Sequence, residues 1–202
     1  MAFWGAPLQD NQHANKSVRA SFEMLNALEA LNADFAKKNM PLANIGIGIN
    51  TGEMNVGDMG SDYRRSYTVI GDAVNLGSRL EGLTKFYGLT ILVSEFTKSQ
   101  ANDFSFLLID KVKVKGKQKP VTIYSPIAPA LPEAQSHLDT VYGTAISDYF
   151  DRRFESALQS FKSIKDDYRF PDLIALYIER SKQWIANPPP QDWDGSFTHT
   201  SK

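Results

Sequence analysis

The chain has no cysteine and very little histidine. Its 202 residues include no cysteine and three histidines. The absence of cysteine excludes a disulfide framework and a thiolate–zinc site. His13, His137 and His199 are scattered without the spacing of metal ligands, so none of them is assigned to a metal. This composition fits a reducing compartment, and we expect a cytoplasmic protein.

An excess of one charge and a long apolar run are also missing. There are 22 basic and 23 acidic residues, for a net charge of −1. Such a balance offers no broad basic surface, so no nucleic-acid partner is expected. No apolar run approaches the roughly 18 residues that a membrane span needs. We therefore predict no membrane span in this chain. Whether a sensor or membrane domain precedes Met1, and attaches a full-length form to a membrane, stays open.

The familiar phosphate-binding loops are missing as well. No GxxxxGK[ST] motif occurs, and the alternating glycines of IGIGINTG (45–52) do not match the dinucleotide fingerprint. The context for Ser-His-Asp chemistry is lacking too. A nucleotide site in this chain would have to be built from other elements.

The first 126 residues mix strand and helix patterns. MAFW (1–4) predicts a strand, and apolar residues at spacings of three and four predict a helix from about Asp10 to Lys38. IGIGIN (45–50) alternates with period two, and its glycines would let another backbone or a ligand approach closely.

Further elements follow up to the first proline-rich stretch. Residues 52–65 are rich in Gly and Asp and predict a turn or hairpin arm before the strand SYTVI (66–70). A helix is predicted over 72–86, with Asp72 placed to cap it. LTILVS (89–94) is typical of a buried strand, and 111–126 predict a hairpin.

Beyond residue 126 the pattern becomes helical. Residues 127–133 predict a linker, 134–187 a helical extension that weakly resembles a tetratricopeptide unit, and 188–202 an irregular tail rich in proline. The extension has three apolar stripes at helical spacing. They comprise Leu138, Tyr142, Ile146 and Tyr149; Phe154, Leu158, Phe161 and Ile164; and Ile174, Ile178, Ser181 and Ile185.

Asn75 and Arg79 lie one turn apart on the helix predicted over 72–86. The buried stripe of that helix is expected to be Leu76, Leu80 and Leu83, and the Asn–Arg pair lies beside it. An amide and a guanidinium near a helix N-terminus can hold a phosphate or a developing negative charge. The residues alone leave an alternative open, in which Arg79 pairs with Glu81 or Asp72 and Asn75 caps a turn.

Two other features are ambiguous on their own. Lys115 and Lys117 flank the glycine of VKGK (114–117), where lysines can bind phosphate or can simply be solvated. Thr68, on the strand before the helix, is by itself an ordinary β-branched strand residue.

An ordered series of motifs resembles the class III nucleotidyl cyclases. The resemblance is close from GIGINTGEMNVGDMGSDYRRSYTVIGDAVNLGSRLEGLTKFYG through ILVSE, VKGK and VTIY, and it reaches back through MAFWGAP, so it covers about residues 1–126. The PPPQDWDG tail resembles the C-terminal extension of some bacterial members. The resemblance implies an α+β fold, a ferredoxin-like cyclase domain lacking its first strand and helices, followed by an all-α tail.

The resemblance also implies an activity. Family members of the adenylate type convert ATP to 3′,5′-cyclic AMP and pyrophosphate in intracellular signalling. Asn75 matches the residue that positions the ribose, and Arg79 matches the residue that stabilises the transition-state charge. Thr68 matches the base-selecting position and favours adenine over guanine, although the choice between ATP and GTP stays open. Val69 and Ile70 join Thr68 among the expected substrate-binding residues, and Lys115 matches the lysine that contacts the phosphates.

The family's metal site is expected to lie outside this chain. The resemblance implies two Mg²⁺ or Mn²⁺ ions, held by two aspartates. One lies on the opening strand of the family's domain, and the other lies in a Gly-Asp turn immediately upstream of a strand like MAFWGAP. Asp10, Asp58, Asp62 and Asp72 do not match those positions. No residue of this chain is therefore assigned to a metal.

The family's active site forms between two protomers, so the expected partner is a second copy or an intact cyclase. Since the metal aspartates are missing, we expect little or no activity from the chain alone. A second interpretation is that the chain is a non-catalytic module, which pairs with intact cyclases and modulates them. A third interpretation is that the helical tail is an interaction module and the cyclase region is a relic. The regulatory signal and the role of the tail stay open.

Overall fold

The computed structural model describes residues 1–61, 63–113, 119–128 and 132–198. By packing, the chain forms two compact units. The first comprises Met1–Thr84 and Thr90–Ser105, and the second comprises Lys85–Leu89 and Phe106–Lys202. This division by packing does not test the domain boundary predicted at residue 126, which stays a prediction. No helix in the described ranges is both long and apolar enough to cross a bilayer.

The first unit combines two strand pairs with helices. Strand β1 is parallel to β4, with Ile49 opposite Val93, and β2 and β3 form an antiparallel hairpin. Helix α2 begins in this unit, and its last three residues belong to the second. The elements are α1 (His13–Lys37), β1 (Ile47–Ile49), β2 (Asn55–Ser61), β3 (Arg64–Ile70), α2 (Asp72–Tyr87), β4 (Ile91–Ser94) and α3 (Glu95–Lys98). The predicted first helix, hairpin arm, second helix and buried strand are confirmed.

The predicted strand at residues 1–4 is wrong. Those residues have no strand conformation, and none of the described strands pairs with them. A strand needs a neighbouring ladder of backbone hydrogen bonds, which an apolar run cannot supply by itself. One of its aromatic rings packs on the β2–β3 hairpin instead, since the rings of Phe3 and Tyr67 lie 6.0 Å apart.

Helix α2 lies directly on strand β1. A Cβ atom added to Gly48 would come within 2.2 Å of the backbone nitrogen of Glu81 and 2.3 Å of the carbonyl oxygen of Gly77. The glycine therefore permits a backbone-to-backbone contact, as the alternating glycines of IGIGIN predicted. On the same helix Leu76 and Leu80 are buried as expected, with exposed fractions of 1% and 0%, whereas Leu83 is half-buried.

The second unit joins a β-hairpin to three helices. Strands β5 and β6 are antiparallel, as predicted, with Val112 opposite Val121 and an irregularity between Leu108 and Asp110. The three predicted helices of the extension are confirmed. The elements are β5 (Phe106–Lys113), β6 (Val121–Pro126), α4 (Glu133–Phe150), α5 (Phe154–Ser163), α6 (Pro171–Ala186) and β7 (Phe197–Thr198).

The tail at 188–202 is not irregular throughout. Phe197 and Thr198 form β7, which pairs in parallel with β5 opposite Val112 and Lys113. Upstream, the ring of Trp193 lies 5.8 Å from that of Tyr149 and 5.6 Å from that of Trp184. Prolines exclude a helix here, but they do not prevent packing through aromatic side chains or a short strand at a free strand edge.

The buried face of α6 differs from the predicted stripe. Ile178 is half-buried and Ile185 is 37% exposed, whereas Arg180 is only 6% exposed. The cause lies on β5, where Asp110 is completely buried and needs a cation. Arg180 supplies it, because its Nη1 atom donates to Asp110 Oδ2 at 2.6 Å. Hydrophobic periodicity could not predict which face of α6 is buried, because the residue that determines this face is charged.

Asp110 collects further bonds inside the second unit. The hydroxyl of Tyr87 donates to Oδ2 at 2.7 Å, and the backbone N–H of Lys111 donates to Oδ1 at 2.8 Å. The guanidinium of Arg180 also stacks over the ring of Phe197, 4.0 Å from its centroid. One buried carboxylate thus connects the end of α2, strand β5, helix α6 and the C-terminal strand.

We expect Asp110→Ala to lower the free energy of unfolding by about 3 kcal/mol or more, because it leaves the Arg180 charge buried and unpaired. The matched control is Lys182→Ala, which removes an exposed pair with Glu179 on the same helix. That change should cost less than about 1 kcal/mol. Urea denaturation of both variants checks this, and equal losses would contradict it.

We also expect the protein to lose stability as the pH rises from about 10 to about 12. These limits are the ordinary pKa of tyrosine and the raised pKa of Tyr149. Burial raises the pKa of Tyr149 to about 12, and burial likewise raises the pKa of Tyr87, Tyr142, Tyr168 and Tyr177. The unfolded tyrosines release protons first, so stability is fully present below pH 10 and falls above it. Denaturation midpoints across that range, with tyrosinate absorbance, measure the effect. A flat profile would contradict it.

Gly48→Ala should cost about 2 kcal/mol or more, since the added methyl group has to push α2 away from β1. Gly82→Ala on α2 is the matched control, because a Cβ atom there meets nothing within 4 Å. It should stabilise the protein by about 0.5–1 kcal/mol through helix propensity. Chemical denaturation distinguishes the two, and a tolerated Gly48→Ala would show that the contact is not tight.

Candidate functional site

The turn between β3 and α2 places the candidate residues at the start of a helix. Gly71 has φ +150°, a conformation that residues with a Cβ rarely adopt. Its carbonyl accepts the backbone N–H of Asn75 at 3.1 Å, which closes the first turn of α2. Asp72 is itself the first residue of the helix, where a carboxylate is favourable. Asn75 therefore lies in the first turn and Arg79 in the next.

Asn75 and Arg79 are exposed on α2 beside the buried Leu76. Within the described parts of the chain, neither side chain has a hydrogen-bond or ion-pair partner, so Arg79 pairs with neither Glu81 nor Asp72. The alternative that the sequence left open is thus not seen. At four residues' spacing the two side chains are neighbours on the helix surface. An amide and a guanidinium there are available to an anionic ligand.

Thr68 and Ile70 share one face of the β2–β3 hairpin. Thr68 lies opposite Gly57 and Ile70 opposite Asn55, so the four positions point to the same side. Beside Gly57 the space is open, because a Cβ atom there would meet nothing within 4 Å. Thr68 is half-buried, whereas Ile70 is 55% exposed. This face is therefore open at Gly57, across from Thr68.

Val69 and Lys115 stand apart from that face. The side chain of Val69 points to the other side of the hairpin and is 4% exposed, so Val69 could offer a ligand only its backbone. Lys115 lies outside the described residues, and its role stays a prediction. The other candidates, at positions 68–70, 75 and 79, all belong to the first unit.

The described residues do not fit a metal site. They contain no group of three or more His, Cys, Asp or Glu side chains that could hold an ion. Asp10 is engaged elsewhere, since Lys16 Nζ donates to its Oδ2 at 2.8 Å. That bond holds the pKa of Asp10 below its usual range. No step of the chemistry below is therefore assigned to a metal held by this chain.

Sequence reasoning missed Asn50, which touches the start of the same helix. Its Nδ2 donates to the Ala73 carbonyl at 2.9 Å, and its Oδ1 accepts from Ser94 Oγ at 2.6 Å. The available signal was a polar residue that ends the apolar alternation of IGIGIN. A polar residue at a strand end is too common for that signal to indicate a role.

Comparisons with known proteins point to one family. The protein-family model of the adenylate and guanylate cyclase catalytic domain matches residues 1–125. An adenylate cyclase of Anabaena cylindrica is 42% identical over 125 residues, which are 58% of this chain and 25% of that protein. The chain spans about a quarter or less of the length of the first curated relatives it matches.

Two solved structures are similar over nearly two thirds of this chain. The adenylyl cyclase CyaB from P. aeruginosa has 30% identity and a TM-score of 0.57, covering 63% of this chain and 66% of that one. The guanylyl cyclase Cya2 has 31% identity and a TM-score of 0.53, covering 64% and 66%. The similar structures therefore include cyclases for both purine nucleotides.

Proposed function

Because the chain belongs to the adenylate and guanylate cyclase catalytic domain family, we propose that it supplies one half of a composite nucleotide cyclase site. The observation that carries this proposal is the Asn75–Arg79 pair. Both side chains are exposed at the start of α2, with no partner among the described residues. A guanidinium without a carboxylate partner is ready to bind a phosphate oxygen.

The proposed reaction is an intramolecular phosphoryl transfer in ATP. The 3′-oxygen of the ribose forms a bond to the α-phosphorus, and the bond from that phosphorus to the oxygen bridging the β-phosphate breaks. The 3′-hydroxyl proton passes to solvent, and pyrophosphate leaves. Asn75 holds the ribose, and Arg79 stabilises the negative charge on the α-phosphate in the transition state. Removing such a charge stabiliser costs on the order of 100-fold or more in rate.

We propose ATP as the nucleotide, with GTP as the alternative. Thr68 is the residue next to the open space above Gly57, and its hydroxyl can both donate and accept a hydrogen bond. The Anabaena cylindrica relative is an adenylate cyclase, which supports ATP as the substrate. The guanylyl cyclase among the similar structures supports the alternative, GTP. Val69 and Ile70 would complete the base site through backbone and side chain respectively.

We propose that carboxylates from outside residues 1–202 supply the other half of the site. The described residues lack a carboxylate cluster for the two Mg²⁺ or Mn²⁺ ions that the family uses to neutralise phosphate charge. A dimer of two copies of this chain would leave that deficit in both sites. An intact cyclase would supply the missing carboxylates, and we therefore propose that the chain is active only in such a pairing.

The same deficit favours a second candidate function. A chain whose described residues hold no carboxylate cluster could pair with an intact cyclase and modulate it without completing a site. In that case Asn75 and Arg79 would not contribute to turnover. The two functions differ in whether Arg79 is needed for product formation.

The test mixes this chain with a homologous full-length cyclase that carries Ala at the position aligned with Arg79. Each protein is also assayed alone, with Mn-ATP and with Mn-GTP, for the cyclic nucleotide. We expect activity only in the mixture and mainly with ATP, because only the heterodimer combines both halves. Strong synthesis by this chain alone would contradict the proposed half-site.

The matched control replaces this chain with its Arg79→Ala variant. Arg79 is exposed, so the free energy of unfolding of the variant should lie within about 0.5 kcal/mol of the wild-type value. The variant should also bind the partner while activity falls about 100-fold or more. If the wild-type mixture is silent although the two proteins associate, the modulator function is favoured. Equal activity of the wild-type and Arg79→Ala mixtures would overturn the assigned role.

A further inference from the structure

Asn50 connects the end of β1 to the first turn of α2. It follows Ile49, the last residue of the strand, and its side chain is half-buried. The Nδ2 atom donates to the carbonyl of Ala73 at 2.9 Å. Ala73 lies two residues before Asn75, within the turn that the Gly71–Asn75 bond closes. The amide therefore holds the piece of backbone from which Asn75 projects.

The acceptor side of the same amide is held in a buried network. Ser94 Oγ, which is completely buried at the end of β4, donates to Asn50 Oδ1 at 2.6 Å. Ser94 Oγ also accepts the backbone N–H of Thr97 at 3.3 Å, which caps α3. The Thr97 hydroxyl donates in turn to the Ile49 carbonyl at 3.3 Å. Asn50 is thus fixed from behind by the ends of two paired strands.

The backbone contact at Gly48 restricts movement of α2 along β1, and the side-chain amide of Asn50 fixes the N-terminal end of α2. Two residues after Gly48, a hydrogen bond of normal length selects one position of the first turn. Positional errors of about 1 Å in groups that orient a reacting substrate can cost about 100-fold in rate. The residue that fixes the first turn is therefore placed to act on Asn75 through the backbone of the helix.

We propose that Asn50 is a positioning residue for Asn75, and this inference rests on the proposed cyclase function. Its donor N–H orients the first turn of α2, and its acceptor oxygen transfers the rigidity of the Ser94–Thr97 network to that turn. Asn50→Asp removes the donor and places a negative oxygen against the Ala73 carbonyl, while the acceptor for Ser94 remains. The change is isosteric and should disturb α2 specifically.

The matched control is Asn32→Asp on α1. Asn32 is also half-buried and also bridges backbone groups, since its Nδ2 donates to the Ala43 carbonyl at 2.8 Å and its Oδ1 accepts the Ala43 N–H at 2.9 Å. Both substitutions remove one amide donor from a backbone carbonyl in the first unit. They differ in whether that carbonyl lies beside Asn75.

The first readout is turnover by the mixture with the Arg-deficient partner cyclase. Asn50→Asp should lower kcat about ten-fold or more, with KM for the nucleotide within about two-fold, because a displaced Asn75 still holds the ribose but misaligns its 3′-oxygen for attack. Asn32→Asp should leave both constants within about two-fold of wild type. Equal losses in the two variants would overturn the proposal.

The second readout does not need activity. Hydrogen–deuterium exchange of peptides covering residues 71–80 should become faster in Asn50→Asp and stay unchanged in Asn32→Asp. If the wild-type mixture makes no product, the proposed function fails, and the exchange result separately decides whether Asn50 fixes the first turn of α2. Unchanged exchange over 71–80 in Asn50→Asp would overturn it.

Discussion

The direct contact between strand β1 and helix α2 is the constraint on which the candidate site depends. It exists because Gly48 lacks a Cβ atom, which would otherwise lie 2.2 Å from the backbone of Glu81. With the helix pressed onto the strand, Leu76 and Leu80 are buried, and the neighbouring Asn75 and Arg79 face solvent. Gly71 forms the turn that connects β3 directly to that helix. The site therefore follows from two glycines as much as from its polar side chains.

The second unit depends on a different interaction, the buried pair of Asp110 and Arg180. A charged pair in an apolar interior is costly unless its geometry is good and its remaining atoms are bonded. Here Tyr87 and the Lys111 backbone N–H satisfy the carboxylate. The Nε and Nη2 atoms of Arg180 have no hydrogen-bond partner among the described residues, and the guanidinium is covered by the ring of Phe197. The helical extension and the C-terminal strand are in this way built into the unit that holds the β5–β6 hairpin.

Periodicity and turn residues were enough to predict most of the elements, because local spacing determines them. The helix with Asn75 and Arg79, the β2–β3 hairpin and the three helices of the extension were all predicted. The strand at residues 1–4 was wrong because strand formation depends on a partner that an apolar run does not specify. Arg180 and Asn50 were missed for a related reason: each is placed by a polar group distant in sequence, Asp110 and Ser94.

The most direct measurement is the structure of the mixed complex with an ATP analogue that lacks the 3′-hydroxyl and cannot cyclise. The complex would contain this chain and the partner cyclase whose own arginine is Ala. We expect the α-phosphate to lie within about 3 Å of the Arg79 guanidinium, with the ribose beside Asn75. A nucleotide bound elsewhere, with Arg79 and Asn75 of this chain facing solvent in the formed complex, would contradict the half-site.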